Sequence, residues 1–256
     1  MSQLKAVIFG AIGTIAETSD LQRQAFNTAF AAAGLDWYWT AATYRNLLKI
    51  NGGQHRLRAY RDAVSGAAHL QLAPSGVSDL QIAALHQAKT RHYLTLLKHA
   101  LVQPRTGVVA LSKACQQQDI NLAFCTSTAI DNVQGIGTAL SGLLPFEQFS
   151  TIVTITDDRL PNDRMAQPKP APDAYLYCLQ QLGLEANEVI AIEDTPVSIA
   201  AAKAAGIVTI ATPGATTSDQ DFAAADLVVP DLTDITIAHL SSLLTDRSSI
   251  LIQNPI

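Results

Sequence analysis

Residues 4–17 read Leu4-Lys5-Ala6-Val7-Ile8-Phe9-Gly10-Ala11-Ile12-Gly13-Thr14-Ile15-Ala16-Glu17, and this stretch decides the fold. Residues 4–9 are apolar except for one lysine, and Val7, Ile8 and Phe9 favour extended backbone. A short apolar run closed by glycine predicts a strand buried on both faces, as in a parallel sheet. Ligands of such sheets bind outside the carboxyl ends of the strands, so chemistry is expected at residues 10–14. That segment offers two glycines and one hydroxyl, Thr14, but no carboxylate, imidazole or thiol.

Beyond it the pattern turns helical. Leu21, Ala25, Phe26, Ala29, Phe30 and Ala33 recur at helical spacing, with Gly34 placed as a stop. Helical runs follow at 41–50, 55–64 and 77–101, broken by Asn51-Gly52-Gly53 and by a Gly/Ala/Pro-containing stretch at 65–78. An all-helical insert of roughly eighty residues thus follows the first strand.

From residue 101 strands and helices alternate. Strands are expected at 120–125, 151–155, 189–192, 207–211 and 227–229. Helices are expected at 107–118, 130–140, 172–182, 195–205 and 234–244, with a frayed tail after 244. Thr195 and Pro196 read as N-cap and first helical residue, Gly183 and Gly206 as stops. Repeated βα units imply an α/β fold, a parallel sheet covered on both faces.

Composition narrows the function. The chain has 256 residues, 48% hydrophobic and 15% charged, enough for a sizeable core. A net charge of −5 without a basic block argues against a nucleic-acid partner. Cys115, Cys125 and Cys178 are odd in number and widely spaced, as expected of reduced thiols in the cytoplasm. The apolar start is too short for a leader, and no run is long enough to span a membrane.

Polar groups then gather at the strand ends: Thr126, Ser127 and Thr128 after the second strand, Glu193 and Asp194 after the fourth, and Lys169 ahead of a helix. Hydroxyls, a lysine and turn amides suit a phosphate-sized anion, and adjacent carboxylates suit Mg²⁺. Cys125 reads as a buried apolar residue, Trp37 and Trp39 as packing of the helical insert, and the scattered histidines as no zinc site.

Taken together, residues 15–30 (IAETSDLQRQAFNTAF), LAFCTST at 122–128, PKPAPDAY at 168–175, AIEDTPVSIAAAKAAG at 191–206 and Pro213-Gly214 resemble the haloacid-dehalogenase superfamily. Within it they resemble the CbbY-type sugar-phosphate phosphatases, relatives of β-phosphoglucomutase. The resemblance implies a Rossmann-like core at 1–16 and 101–245, a helical cap at 17–100 and a tail at 246–256. It implies phosphate ligands at Thr126, Ser127 and Lys169 and metal acids at Glu193 and Asp194. It also implies cap-side substrate contacts at Glu17, Gly53, Gln54 and Arg56. Gln22 stands where the family often has histidine, and Ser198 where it often has glycine.

In the family's first motif, Asp-x-Asp-Gly-Thr, the first aspartate is the nucleophile and the second the acid/base. Here those positions are Gly10 and Ile12, and residues 1–16 contain no Asp or Glu. The expected consequences are loss of aspartate-dependent turnover and weakened Mg²⁺ binding, with relief of anion repulsion beside Lys169. The leading expectation is a pseudo-phosphatase that binds a phosphorylated small molecule or a protein partner. The alternatives are a Mg²⁺-dependent hydrolase with an unusual nucleophile, such as water activated by Asp194, and a non-enzymatic interaction module.

Overall fold

The computed structural model describes residues 3–67, 76–155, 160 and 165–253. Most of the expected linker at 65–78 and the end of the expected tail, 254–256, lie outside them. Among the described residues, six strands form one parallel sheet: β1 (Ala6–Phe9), β2 (Asn121–Thr126), β3 (Phe149–Thr154), β4 (Val189–Glu193), β5 (Val208–Ala211) and β6 (Leu227–Val228). Their order is β3-β2-β1-β4-β5-β6. The chain leaves β1 towards β2 on one side and reaches β4 on the other, so the direction of winding reverses at β1, where a crevice opens.

Alternation along β1 divides the core. Val7 and Phe9 face one layer with Phe124, Ile192, Leu111, Val133 and Leu240. Ala6 and Ile8 face the other with Ala123, Ala191, Tyr175, Cys178 and Ala202. The helices behind these layers are α5 (Val108–Gln117), α6 (Ile130–Leu140) and α9 (Ile237–Gln253) on the first, and α7 (Asp173–Leu182) and α8 (Pro196–Ala204) on the second. Phe124 stacks on Phe149 with ring centres 4.1 Å apart. Each fully buried aromatic of this kind contributes about 1.5–3 kcal/mol of transfer free energy.

The helical insert comprises α1 (Ser19–Ala32), α2 (Ala41–Leu47), α3 (Gly53–Ala67) and α4 (Asp79–His99). Ser78 starts α4 with a capping box: its hydroxyl accepts from the Gln81 amide, and the Gln81 side chain accepts from the Ser78 amide. Phe26, Phe30, Trp39, Tyr44, Leu57, Ile82 and Leu85 form a core of their own, where both tryptophans pack as expected. Ala25, Tyr93 and Leu97 extend the insert into the main core. Thr195 caps α8 by accepting from the Ser198 amide, with Pro196 at the first helical position. α9 runs on to Gln253, past the expected end at 244. No helix among the described residues is long and apolar enough to cross a membrane.

Candidate functional site

Parallel register brings the polar groups together. Phe9 pairs with Phe124 and with Ile192, and the Gly10 amide donates to the Ile192 carbonyl at 3.0 Å. One step further, Gly10 lies beside Glu193, on the face that Ala6 and Ile8 share with Ala191. The cleft at this edge is lined by Gly10, Ile12, Thr126, Ser127, Lys169, Glu193 and Asp194 from the sheet side. From the insert it receives Gln22, Tyr44, Asn51, Gly53, Arg56, His86 and Lys89.

Lys169 is almost wholly buried, and its ammonium donates to Glu193 Oε1 at 2.8 Å and to the Cys125 carbonyl at 3.0 Å. Ser198 Oγ lies 3.3 Å away. The Tyr175 hydroxyl donates to the same Glu193 oxygen. Burial works against the charged ammonium, but the Glu193 carboxylate beside it raises the Lys169 pKa above its usual value.

The two glycines of the first loop differ. Gly13 has φ +85°, and a Cβ there would stand 1.9 Å from Asp194 Oδ2, so only glycine fits. Gly10 has no positive φ. A Cβ at Gly10 would stand 2.2 Å from Glu193 Oε2 and 2.6 Å from Thr14 Oγ1. The Glu193 carboxylate therefore fills the space of a residue-10 side chain. Lys169 keeps that carboxylate as its immediate anionic partner.

Asp194 is held differently. Thr14 Oγ1 donates to its Oδ1 at 2.9 Å, yet burial, and then the neighbouring Glu193 charge, push its pKa up to about 7. The free aspartate value is 3.8, so folding favours the protonated form. That stabilisation is complete below pH ~3.8 and is lost as pH rises through ~7. Asp194→Asn is therefore expected to flatten the decline in stability between pH 4 and 7, measured by denaturant titration across pH. Arg105 braces the loops: its guanidinium donates to the carbonyls of Gly13 at 2.6 Å, Pro213 at 2.9 Å and Pro230 at 3.1 Å.

The donor set fits a divalent cation poorly. Position 10 supplies no carboxylate, Glu193 Oε1 is engaged by Lys169 and Tyr175, and Asp194 Oδ1 accepts from Thr14. Among the described residues no group of three His, Cys, Asp or Glu converges as metal ligands would.

The insert supplies a second cationic pole. Arg56 Nε donates to the carbonyls of Leu47 at 3.2 Å and Ile50 at 2.8 Å, fixing its fork at the cleft. Lys89 is 3% exposed, with its ammonium 5.0 Å from the Phe26 ring centre and 5.2 Å from that of Tyr93. Burial, and then the Arg56 charge, lower its pKa to about 7. Burial holds His86 neutral, with a pKa of about 3. Gly53 lies against His86, whose Nε2 would have to shift to admit a Cβ there.

Thr126, Ser127, Lys169, Glu193, Asp194, Gly53 and Arg56 thus reach one cleft. Glu17 and Gln54 are not among its lining. Glu17 is exposed, accepts from the Ser19 amide at 3.1 Å and lies against Gly214. Gln54 turns along its own helix to accept from Arg58 at 3.1 Å. Lys89, His86, Tyr44 and Asn51 went unmarked in the sequence reading. Lys89 had one signal, a charge on the stripe of Ile82, Leu85, Tyr93 and Leu97 that α4 buries. Two buried polar atoms facing the cleft, Gln22 Nε2 and Ser127 Oγ, have no hydrogen-bond partner. Such a group costs about 1–3 kcal/mol when left unpaired.

A doubly wound parallel sheet with a polar cleft at its carboxyl edge, under a helical insert, defines an α/β protein whose candidate site lies at the point where the winding reverses. The chain belongs to the haloacid dehalogenase-like hydrolases, whose family model matches residues 4–206. Within that family it is CbbY-like. It is 40% identical over 230 residues to protein CbbY of Rhodobacter capsulatus, covering 90% of this chain and 94% of that one. It superposes on the crystal structure of CbbY from Rhodobacter sphaeroides in complex with phosphate with a TM-score of 0.80. The identity is 33%, with 93% of this chain and 99% of that chain covered. A mutant of the same protein in complex with xylulose-(1,5)bisphosphate gives the same TM-score of 0.80 at 32% identity, covering 93% and 100%. Members of the family typically use Mg²⁺.

Proposed function

We propose that this chain is a pseudo-phosphatase that binds a phosphorylated sugar and does not hydrolyse it. One observation carries the reading: position 10 has no side-chain oxygen, and the space beside it is filled by a carboxylate held by Lys169 and Tyr175. Phosphoryl transfer by the family's covalent route needs an oxygen aimed in line at phosphorus, and Ile12 has no proton to give the leaving group. The same geometry leaves Mg²⁺ only weakly held, with one fewer carboxylate to ligate it. The proposed compartment is the cytoplasm, supported by three buried cysteines that form no disulfide.

The ligand class follows from the two poles. Lys169 with the Thr126–Ser127 turn suits one phosphate, and Arg56 with Lys89 suits a second across the cleft. A sugar bisphosphate fits this arrangement, and a CbbY relative is seen with one. Hydrolysis through a substitute nucleophile has one supporting observation, the closeness of Glu193 Oε2 to the residue-10 Cβ position. Against it, an aspartate's oxygens would stand two bonds further out, and the Glu193 side chain is only 3% exposed.

Calorimetric titration with xylulose 1,5-bisphosphate and with inorganic phosphate tests the binding reading. The bisphosphate is expected to bind more tightly than phosphate. Lys89→Met is expected to weaken the bisphosphate by at least about ten-fold, the loss of one charge-assisted contact. The same variant is expected to melt higher than wild type, because an unpaired buried charge has gone. No heat with either ligand refutes the proposal.

A further inference from the structure

We infer that Arg45 and Lys49 steer the ligand electrostatically at the mouth of the cleft, drawing in a multiply charged anion that they do not touch once it is bound; this rests on the binding function proposed above. Charge is divided unevenly along the chain. Residues 17–100 carry nine Lys or Arg against five Asp or Glu, while the remainder carries eight against 17. An approaching bisphosphate is thus repelled by the sheet-bearing part as a whole and attracted by the insert. Inside the cleft the sheet side offsets little of this, since Lys169 is already paired with Glu193 and Asp194 follows directly.

Much of the insert's positive charge is answered locally. Arg58 and Arg61 face Asp79 at 3.7 Å and 2.6 Å, and Arg23 faces Asp20 at 2.8 Å. Arg45 and Lys49 are exposed, and neither forms an ion pair with another described residue. Tyr44 and Leu48, the residues just before them, line the cleft, as do Asn51 and Gly52 beyond. The Leu48 amide donates to the Tyr44 carbonyl at 2.9 Å and the Lys49 amide to that of Asn46 at 3.3 Å. Helical winding therefore continues past α2, and the two cations stand one turn apart on the row beside the lining one. Arg45 complements the carboxyl end of α2, but a second cation one turn on costs the helix rather than supporting it. Arg56, within the cleft, continues the same line of charge inward. Exposed, hydrated charges at a rim act on the rate of encounter more than on the lifetime of the complex.

The test uses the full chain with xylulose 1,5-bisphosphate as probe. Association and dissociation rates are read by stopped-flow from tryptophan emission, since Trp39 stacks on the cleft residue Tyr44 with ring centres 5.9 Å apart. Arg45→Gln with Lys49→Gln is expected to slow association at least about five-fold at ~0.05 M salt and to leave dissociation within about two-fold. The difference is expected to vanish at ~1 M salt, where the screening length falls to about 3 Å. Arg91→Gln with Lys98→Gln removes the same charge from exposed positions of α4 that line grooves other than the cleft. That variant is expected to associate as wild type does, and both variants to melt close to wild type. Equal association rates in the two double variants overturn the inference, as does a change confined to dissociation, which would make Arg45 and Lys49 direct ligand contacts. If wild type does not bind the probe, the binding function itself fails, a result distinct from either of these.

Discussion

Phosphomonoester hydrolysis is expected to rise at least about 10²-fold over wild type when Gly10→Asp and Ile12→Asp are combined and assayed with Mg²⁺. Acid–base assistance alone contributes 10²–10⁴-fold, and the nucleophile restores the covalent route in addition. The remaining apparatus is in position: Lys169, Thr126, Ser127 and Asp194 line one cleft, and Arg105 ties the Gly13 loop to the loop at Pro213. Backbone conformation does not oppose an aspartate at 10, because Gly10, unlike Gly13, has no positive φ. The obstacle is Glu193, whose Oε2 lies 2.2 Å from the new Cβ and must swing away. Its carboxylate ends a flexible side chain, so the move is open to it, but Lys169 and Tyr175 then lose a partner. Gly10→Asp alone, without an acid/base at 12, is expected to fall well short of the double variant. No turnover in the double variant would mean that the site has diverged beyond those two side chains.

Lys169→Met is expected to give the largest loss of stability among substitutions in the cleft. It removes one member of an ion pair whose side chains are 1% and 3% exposed, leaving the Glu193 carboxylate buried with only the Tyr175 hydroxyl. Breaking a buried pair from one side costs about 3–5 kcal/mol. For a chain of this size that lowers the melting temperature by roughly 6–20 °C. Lys169→Met with Glu193→Gln is expected to recover much of it, because no uncompensated charge then remains. A single variant as stable as wild type would show that Glu193 finds solvent on its own. The pair would then not be what fixes that carboxylate beside Gly10.

The sequence told much of the fold for physical reasons. Apolar runs such as Val7–Phe9, closed by glycine, have few alternatives to a buried strand, and Thr195-Pro196 and Gly206 punctuate α8 as their chemistry requires. Strand ends converge in any parallel sheet, which is why Thr126, Glu193 and Asp194 were legible as one site. Side-chain direction was not. Glu17 and Gln54 stand in the right stretches but bond along their own helix starts, and the chain order contains no rotamer. Lys89 carries no site reading in the sequence, because its ammonium is placed by Phe26 from another helix. The filling of the Gly10 space by Glu193 needed the β1–β4 register as well as the glycine.

Release of inorganic phosphate from xylulose 1,5-bisphosphate by the wild-type chain with Mg²⁺, measured beside Asp194→Ala, tests the loss of chemistry most directly. The expected result is the same background rate for both, at ligand concentrations where calorimetry shows the wild-type cleft filled. Mg²⁺-dependent turnover by wild type that disappears in Asp194→Ala would contradict it, and would make this chain a working hydrolase with a substitute nucleophile.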